Sequence, residues 1–347
     1  VPDGLIDMKF DKANFSKKQT SFSYISLGYL SYDMKKTPTL LALIFCLQSF
    51  AQQDNQYLQN SKKANRFQVA TQVIKNNILT IPGDFKEMGK AFSNDWKRTA
   101  TYAGGMLGLI AVDKYTTQFM QDHIEANVVY RLPNYKILNS EFQWFNGEDL
   151  YITASIASLY AGSLILNSEK GQIAATNAIK SLGYSFVISQ LLLKSVFARE
   201  RPQAKLSDRN FESSGNTKNN WDFGNFRPIS GGPGGPGSAF PSLHATAFFA
   251  FAKVMQMEFD NYWIPYSFMT LVFMSKFEGH QHWVSDMVFG GILGTVIGRS
   301  VVNNSRKHSA KKENQLDQFA FKKRKIQKKV IPQLSQSMVG LQLIGNF

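Results

Sequence analysis

The chain is poor in cysteine, since Cys46 is the only one among its 347 residues. Cys46 lies in an N-terminal apolar run, and a mature chain without this run would have no disulfide and no thiol chemistry. Acidic residues are also scarce, with 25 Asp and Glu against 39 Lys and Arg. The resulting formal charge of +14 favours phosphates, acidic lipid surfaces or nucleic acid as partners, without choosing among them. Long apolar runs are few, and the mean hydropathy of -0.22 excludes a mostly membrane-embedded chain but not several short spans.

A secretory signal peptide is predicted at residues 34–51. Two lysines follow Met34, the stretch 40–47 is apolar, and small residues lead up to Ala51. This order of charged, apolar and small residues is typical of a signal peptide cleaved near Ala51. We therefore interpret residues 1–33 as untranslated or extra upstream sequence, and we expect export to the bacterial cell envelope.

Apolar segments of helical length follow residue 99, and their Ala, Leu, Met and Phe content favours helices over strands. The predicted fold class is therefore all-α, a helical bundle. The predicted helices cover 100–112, 150–166, 173–197, 239–257, 262–275 and 284–302. Residues 202–241 contain the run GGPGGPG and predict a long loop of the kind that forms lids or binding loops. The last residues, 337–347, alternate apolar and polar like one half-buried strand.

The segment that ends at Asp286 carries a candidate nucleophile. If the chain is helical from Trp283, His282 and Asp286 share one face. A carboxylate there can fix the imidazole tautomer, which yields an oriented nucleophile suited to phosphoryl transfer. Taken alone, a His/Asp pair at this spacing is more often structural than catalytic.

Two further segments supply an acid and several cations. Ser242 can cap a predicted helix whose first N–H groups can hold an anion, and His244 there could protonate a leaving oxygen. Lys194 and Arg201 are two helical turns apart, a rise of about 10 Å, and could converge on one anion together with Lys276. Each feature by itself also has a structural interpretation, as a capping serine or a snorkelling lysine.

Together the three segments resemble the signature motifs of the type 2 phosphatidic-acid-phosphatase and vanadium-haloperoxidase superfamily, which read K-x6-RP, PSGH and SR-x5-H-x3-D. In this chain they read KSVFARERP, PSLH and SKFEGHQHWVSD, in the same order and spacing. Leu243 stands where the family has Gly, and Lys276 where it has Arg. The resemblance covers residues 150–302.

The resemblance implies a role for each matching residue. His282 would attack phosphorus, Asp286 would orient it, and His244 would protonate the leaving group. The phosphate oxygens would be held by Lys194, Arg201, Lys276, Ser242 and the backbone N–H of Leu243. Lys276 keeps the charge of arginine but loses its fork, and Leu243 adds bulk, so we expect reduced or narrowed activity.

The function implied is a phosphatase that needs no metal or cofactor and hydrolyses phosphomonoester or pyrophosphate bonds, including those of lipid phosphates, through a phosphohistidine. A phosphorylated small molecule or lipid and an anionic membrane surface are the expected partners, and nucleic acid is not. Two alternatives stay open: a degenerate envelope protein that binds an anionic head group, and a vanadium-dependent haloperoxidase with His282 on vanadate. A metal site at His280 and His282 is less favoured, because no second ligand cluster with zinc spacing accompanies it.

Three regions would follow the signal peptide. Residues 52–149 would form a periplasmic helical region, 150–302 the catalytic domain and 303–347 a basic tail. A membrane-embedded bundle of five spans, with the motifs on the periplasmic side and the basic tail in the cytoplasm, is favoured over an exported soluble phosphatase.

Overall fold

The computed structural model describes the chain from residue 65 to residue 346, with several gaps. The gaps are residue 129, 136–142, 209, 211–212, 230–234, 276–281, 324–326 and 336–337. The upstream segment 1–33, the predicted signal peptide 34–51 and Lys276 therefore lie outside the described residues.

Helices make up most of the described chain, and the predicted all-α fold class is confirmed. The first three are α1 (Arg66–Leu79), α2 (Ile81–Ser93) and α3 (Trp96–Phe119), which continues into a π-helical turn (Met120–Ile124) and a 3-10 turn (Glu125–Asn127). A 3-10 turn (Gln143–Phe145) precedes α4 (Asp149–Ile165) and α5 (Glu169–Ser185), and a π-helical stretch (Phe186–Leu193) leads from α5 to α6 (Lys194–Phe197). The last three are α7 (Leu243–Phe259), α8 (Trp263–Met274) and α9 (Val284–Lys323). Helices α1 and α2 lie in a part of the chain whose sequence shows no sustained apolar periodicity.

The described strands are short or terminal. Strand β1 (Arg201–Pro202) pairs in parallel with β2 (Asn216–Thr217) inside the predicted long loop. Strands β3 (Gln327–Ser335) and β4 (Met338–Asn346) form an antiparallel hairpin. The strand expected from the terminal alternation thus has its partner in the preceding residues, and α9 extends far into the segment that was predicted to be a basic tail.

Short polar side chains begin several of the helices. Asn65 accepts from the N–H of Phe67 at 3.2 Å, and Asp95 accepts from that of Arg98 at 3.0 Å. Ser168 does the same at the start of α5. These side chains satisfy N–H groups that have no partner inside the helix, which is why such residues are preferred there.

The predicted helical segment 173–197 ends at Phe197 as expected, but the expectation that Lys194 and Arg201 lie two turns apart on one helix is wrong. Helix α6 ends at Phe197, where Ala198 adopts the left-handed conformation with φ +43°, and the chain then runs extended into β1. Here it lies beside the strand-like segment before α7, since the N–H of Ala239 donates to the carbonyl of Arg199 at 2.9 Å. The helical spacing assumed between the two motif cations therefore does not exist.

Helix α7 is the centre of the bundle and packs against α9 along a row of glycines. A Cβ on Gly290 would lie 2.7 Å from the carbonyl oxygen of Ser242, and one on Gly298 would lie 2.6 Å from that of Ala250. Gly294, between them, faces the carbonyl of Thr246 even more closely. Because residues four apart share one helix face, the row lets the two backbones touch. The sequence thereby brings the start of α7 against the start of α9.

Helix α2 is attached to the bundle by a buried polar cluster. The carboxylate of Asp84 is 2.8 Å from the ammonium of Lys180 and accepts from the hydroxyl of Tyr184 and the amide of Asn304, each at 2.9 Å. These partners lie on α5 and α9, so one fully buried carboxylate joins three helices. Because every partner is a donor to the same buried charge, the cluster specifies how α2 docks.

Candidate active site

The candidate nucleophile lies directly before α9. His282 Nδ1 is 3.5 Å from Asp286 Oδ2, and both side chains are buried. The same carboxylate oxygen accepts from the backbone N–H of Trp283 at 2.9 Å, which is the reach-back contact of a capping box. The four-residue spacing therefore brings the histidine and the carboxylate together as expected, although His282 precedes the helix.

Asp286 is held from its other side by Arg199, a residue that the motif comparison did not single out. Arg199 Nη1 donates to Asp286 Oδ1 at 2.7 Å and to Ser285 Oγ at 2.7 Å. Its Nη2 donates to Asp113 Oδ2 at 2.8 Å. All of these side chains are fully buried. The guanidinium can bridge two carboxylates because its five N–H groups point in several fixed directions in one plane.

The charge of Asp286 depends on these neighbours. Complete burial raises the pKa of the Asp286 carboxyl to about 7, while Arg199 and the N–H of Trp283 act to lower it. The nearby carboxylate of Asp113 acts to raise it. Near neutral pH, Arg199 therefore favours the ionised carboxylate that a histidine nucleophile needs.

Two of the predicted phosphate-binding cations lie within electrostatic reach of each other and of Asp286. Lys194 Nζ donates to Gln190 Oε1 at 2.8 Å, and Arg201 Nε donates to Ser238 Oγ at 2.7 Å. Burial lowers the pKa of Lys194 to about 7, with a further lowering from Arg201 and Arg227 and an opposing effect of Asp286. Arginine charges that lower the pKa of a buried lysine in this way form a site suited to an anion.

Arg227 is a further cation that sequence reasoning missed. It lies in the long loop, is buried, and donates from Nη1 to the carbonyl of Pro236 at 3.1 Å. Burial lowers the pKa of Arg227, and its charge contributes to lowering that of Lys194. The sequence feature that could have indicated Arg227 is its position next to the Gly- and Pro-rich run of a predicted binding loop.

The second motif adjoins the third. The N–H of Ser242 donates to the carbonyl of Asp286 at 3.1 Å, and Ser242 Oγ caps α7 by accepting from the N–H of Ala245 at 3.4 Å. Leu243 is 3% exposed and belongs to the main hydrophobic core. Its φ is not positive, so this position does not require the glycine of the family pattern. The extra bulk of Leu243 is therefore absorbed by the core.

His244, the candidate general acid, also has a carboxylate partner that was not predicted. His244 Nε2 lies 3.1 Å from Oδ2 of Asp149, which is the first residue of α4 and is buried. The imidazole is partly exposed, with a side-chain exposure of 31%, and packs edge-on against the ring of Phe248. No sequence signal linked Asp149 to this motif, because the two residues are far apart along the chain.

The described site thus combines a His/Asp pair, buried cations and a second histidine beside a carboxylate. Residues 175–309 match the family model of the PAP2 superfamily. The predicted resemblance is thereby confirmed, and it supports a phosphatase-type function in general terms. No curated protein and no solved structure matches the chain.

Two further properties concern metals and membranes. Within the described ranges, no three His, Cys, Asp or Glu side chains are grouped so that they could hold a metal ion. One described helix segment, Val284–Lys312, is long and apolar enough to cross a membrane, but 56% of its most apolar window is buried inside the protein. A core helix of a soluble protein passes the same test, so this segment supports membrane association only weakly.

Proposed function

We propose that the protein is a metal-independent phosphatase that hydrolyses phosphomonoester or pyrophosphate bonds through a phosphohistidine intermediate. The observation that supports this proposal is the His282–Asp286 pair together with the buried Lys194 and the half-buried Arg201, whose charges both interact with Asp286. Phosphoryl transfer requires mainly positioning and neutralisation of the charge on the phosphate oxygens. A cluster of buried cations beside an oriented histidine meets both requirements.

The reaction would proceed in two displacements. His282 Nδ1 faces Asp286, so Nε2 attacks phosphorus while the bond to the leaving oxygen breaks, and His244 gives that oxygen its proton. Water then attacks the phosphohistidine, gives its proton to His244, and the P–N bond breaks to release phosphate. Lys194 and Arg201 neutralise the phosphate oxygens throughout. Lys276, the N–H of Leu243 and Ser242 complete the proposed phosphate-binding set.

The decisive experiment is phosphate release by the purified protein in the presence of a chelator. An aryl phosphate, phosphatidic acid and a prenyl pyrophosphate in detergent would each be tested. We expect release from at least one of them, an acid-labile phosphoprotein during turnover, and loss of both with His282→Ala. His123→Ala, which changes an exposed histidine stacked on Phe119, should retain full activity.

The outcomes separate the competing functions. No release from any substrate, together with retained binding of phosphate, would indicate a degenerate protein that binds anionic head groups. Halide oxidation that requires added vanadate would indicate the haloperoxidase branch. Activity abolished by the chelator and restored by a divalent metal would contradict the mechanism. A preference for phosphatidic acid or the prenyl substrate would identify a lipid phosphatase.

We also propose that the protein acts in the bacterial envelope, exported and associated with the membrane. The predicted signal peptide supports export, and the apolar segment Val284–Lys312 gives weak support for the membrane. Cell fractionation with an alkaline wash tests this: retention in the washed membrane fraction supports an integral protein, and release by the wash supports peripheral attachment. Recovery in the cytoplasm would contradict export.

A further inference from the structure

Both histidines of the site are connected to carboxylates that precede the segment matched by the family model. Asp149 begins α4 and Asp113 lies on α3, whereas the match starts at residue 175. Both carboxylates are buried, and they contact different residues, since Asp113 binds Arg199 and Asp149 binds His244. The two contacts therefore supply independent evidence that upstream helices help to build the site.

The contact of Asp149 with His244 is direct. A carboxylate 3.1 Å from Nε2 can accept a hydrogen bond from the Nε2–H group and thereby orient the imidazole ring. Asp149 itself is buried at the start of α4, where its own carbonyl accepts from Thr153 Oγ1 at 3.4 Å. A general acid held in this way can meet a leaving oxygen without first losing rotational freedom.

We propose that Asp149 is the positioning residue of the general acid His244. The proposal rests on the phosphatase function proposed above. In the first displacement, a leaving alkoxide needs the proton from His244, whereas a nitrophenolate leaves without one because it is a weak base. The effect of Asp149 should therefore depend on the leaving group, which a purely structural residue would not produce.

A second and independent observation concerns Asp113. It contacts Arg199 at 2.8 Å, accepts from the backbone N–H of Ser285 at 2.9 Å, and also accepts from the Ser285 hydroxyl. Arg199 is held between the rings of Phe223 and Trp283, which lie 4.8 and 5.0 Å from its guanidinium carbon. Since Arg199 also binds Asp286 at 2.7 Å, Asp113 completes the support of the carboxylate that orients the nucleophile.

We infer that Asp113 is a positioning residue for His282, acting through Arg199 and Asp286. Because this support concerns attack on phosphorus, its loss should slow substrates with good and poor leaving groups to the same extent. Phosphate binding depends on other side chains, so competitive inhibition by inorganic phosphate should be unchanged.

The test compares kcat/KM for p-nitrophenyl phosphate and for an alkyl phosphate, since this constant reports the first displacement. For Asp149→Asn we expect a loss of about 10²-fold with the alkyl phosphate and less than about threefold with the aryl phosphate. His244→Ala should show the same pattern, and the double variant should lose no more than His244→Ala alone. An equal loss on both substrates, or no loss, would overturn the role of Asp149.

For Asp113→Asn we expect about a tenfold to 10²-fold lower kcat on both substrates, with an unchanged inhibition constant for phosphate. Thr117→Ala is the matched control, because Thr117 also caps α9, by accepting from the N–H of Val284 at 3.2 Å. The described hydrogen bonds of Arg199 go to other residues. Equal kcat losses in Asp113→Asn and Thr117→Ala would show that Asp113 acts only as a helix cap, and would refute its positioning role. Thermal unfolding of each variant shows whether it is folded.

Asp122→Asn, an exposed acid of the same region, should leave both rate constants unchanged. If the unaltered protein releases no phosphate, the proposed function itself is wrong and both positioning roles fall with it. If the unaltered protein is active and the leaving-group pattern is absent, the function stands and only the role of Asp149 is wrong.

Discussion

Gly290→Ala should lower activity because it separates the second motif from the third. The new methyl group would lie 2.7 Å from the carbonyl oxygen of Ser242, against an ordinary contact of about 3.4 Å or more. The obstructing atom is backbone, so it cannot rotate away, and the start of α7 must move by about 0.7 Å relative to α9. A displacement of about 1 Å at a catalytic group can cost about 10²-fold in rate. We expect a tenfold to 10²-fold lower kcat, with about 1–3 kcal/mol of destabilisation from overpacking.

Gly298→Ala is the matched control for this variant. It introduces a comparable clash, 2.6 Å from the carbonyl of Ala250, about 12 Å further along the same helix pair. It should lower the thermal unfolding temperature similarly while retaining most of kcat. Gly183→Ala, where the new methyl group meets no atom within 4 Å, should change neither activity nor folding adversely.

The assay is kcat on p-nitrophenyl phosphate together with thermal unfolding of each variant. We expect Gly290→Ala and Gly298→Ala to differ in kcat although their stabilities are alike. If both lose activity in proportion to stability, the loss reflects general destabilisation, and the proposed coupling between helix packing and the site is refuted. Unchanged activity and stability in Gly290→Ala would show that the two helices are not in such close contact.

Three further predictions concern charged groups. The rate constant kcat/KM should peak near pH 7, because Lys194 loses its charge as pH rises through about 7 and Asp286 loses its charge as pH falls through about 7. Lys194→Arg should remove the decline on the alkaline side, and a flat profile would contradict both pKa shifts. Asp84→Ala should lower the free energy of unfolding in urea by about 3–5 kcal/mol, because it leaves the buried ammonium of Lys180 without the carboxylate 2.8 Å away. A change below about 1 kcal/mol would show that the pair is solvated. Arg227→Gln should raise KM for a phosphate substrate by about tenfold or more, because it removes a buried cation whose charge acts on Lys194. An unchanged KM would place this arginine outside the phosphate site.

Much of the candidate site was predictable because its chemistry is concentrated in short segments. The pair His282 and Asp286 is separated by four residues, so helical geometry alone predicted their approach. The capping role of Ser242 followed from the residue type and its place before an apolar run. The cations Lys194 and Arg201 were recognised by their spacing, although the helix assumed between them ends at Phe197.

The groups that support the site were not predictable in the same way. Arg199 lies inside a motif at a position that the pattern leaves open, and its partners Asp113 and Asp286 are both about 86–87 residues away. Asp149 is separated from His244 by 95 residues. Contacts at such separations depend on how whole helices pack, and no local periodicity reports them.

The amino-acid sequence by itself determined the helical character of the chain, the order of the three motifs and the identity of the candidate reactive side chains. These properties follow from residue types and from spacings within one or two helical turns. The tertiary structure alone decided which carboxylates face the two histidines, that Arg227 joins the buried cations, and that Leu243 packs into the core. The physical reason is that burial and pairing of charge depend on which surfaces meet, and close packing of α7 against α9 brings those surfaces together.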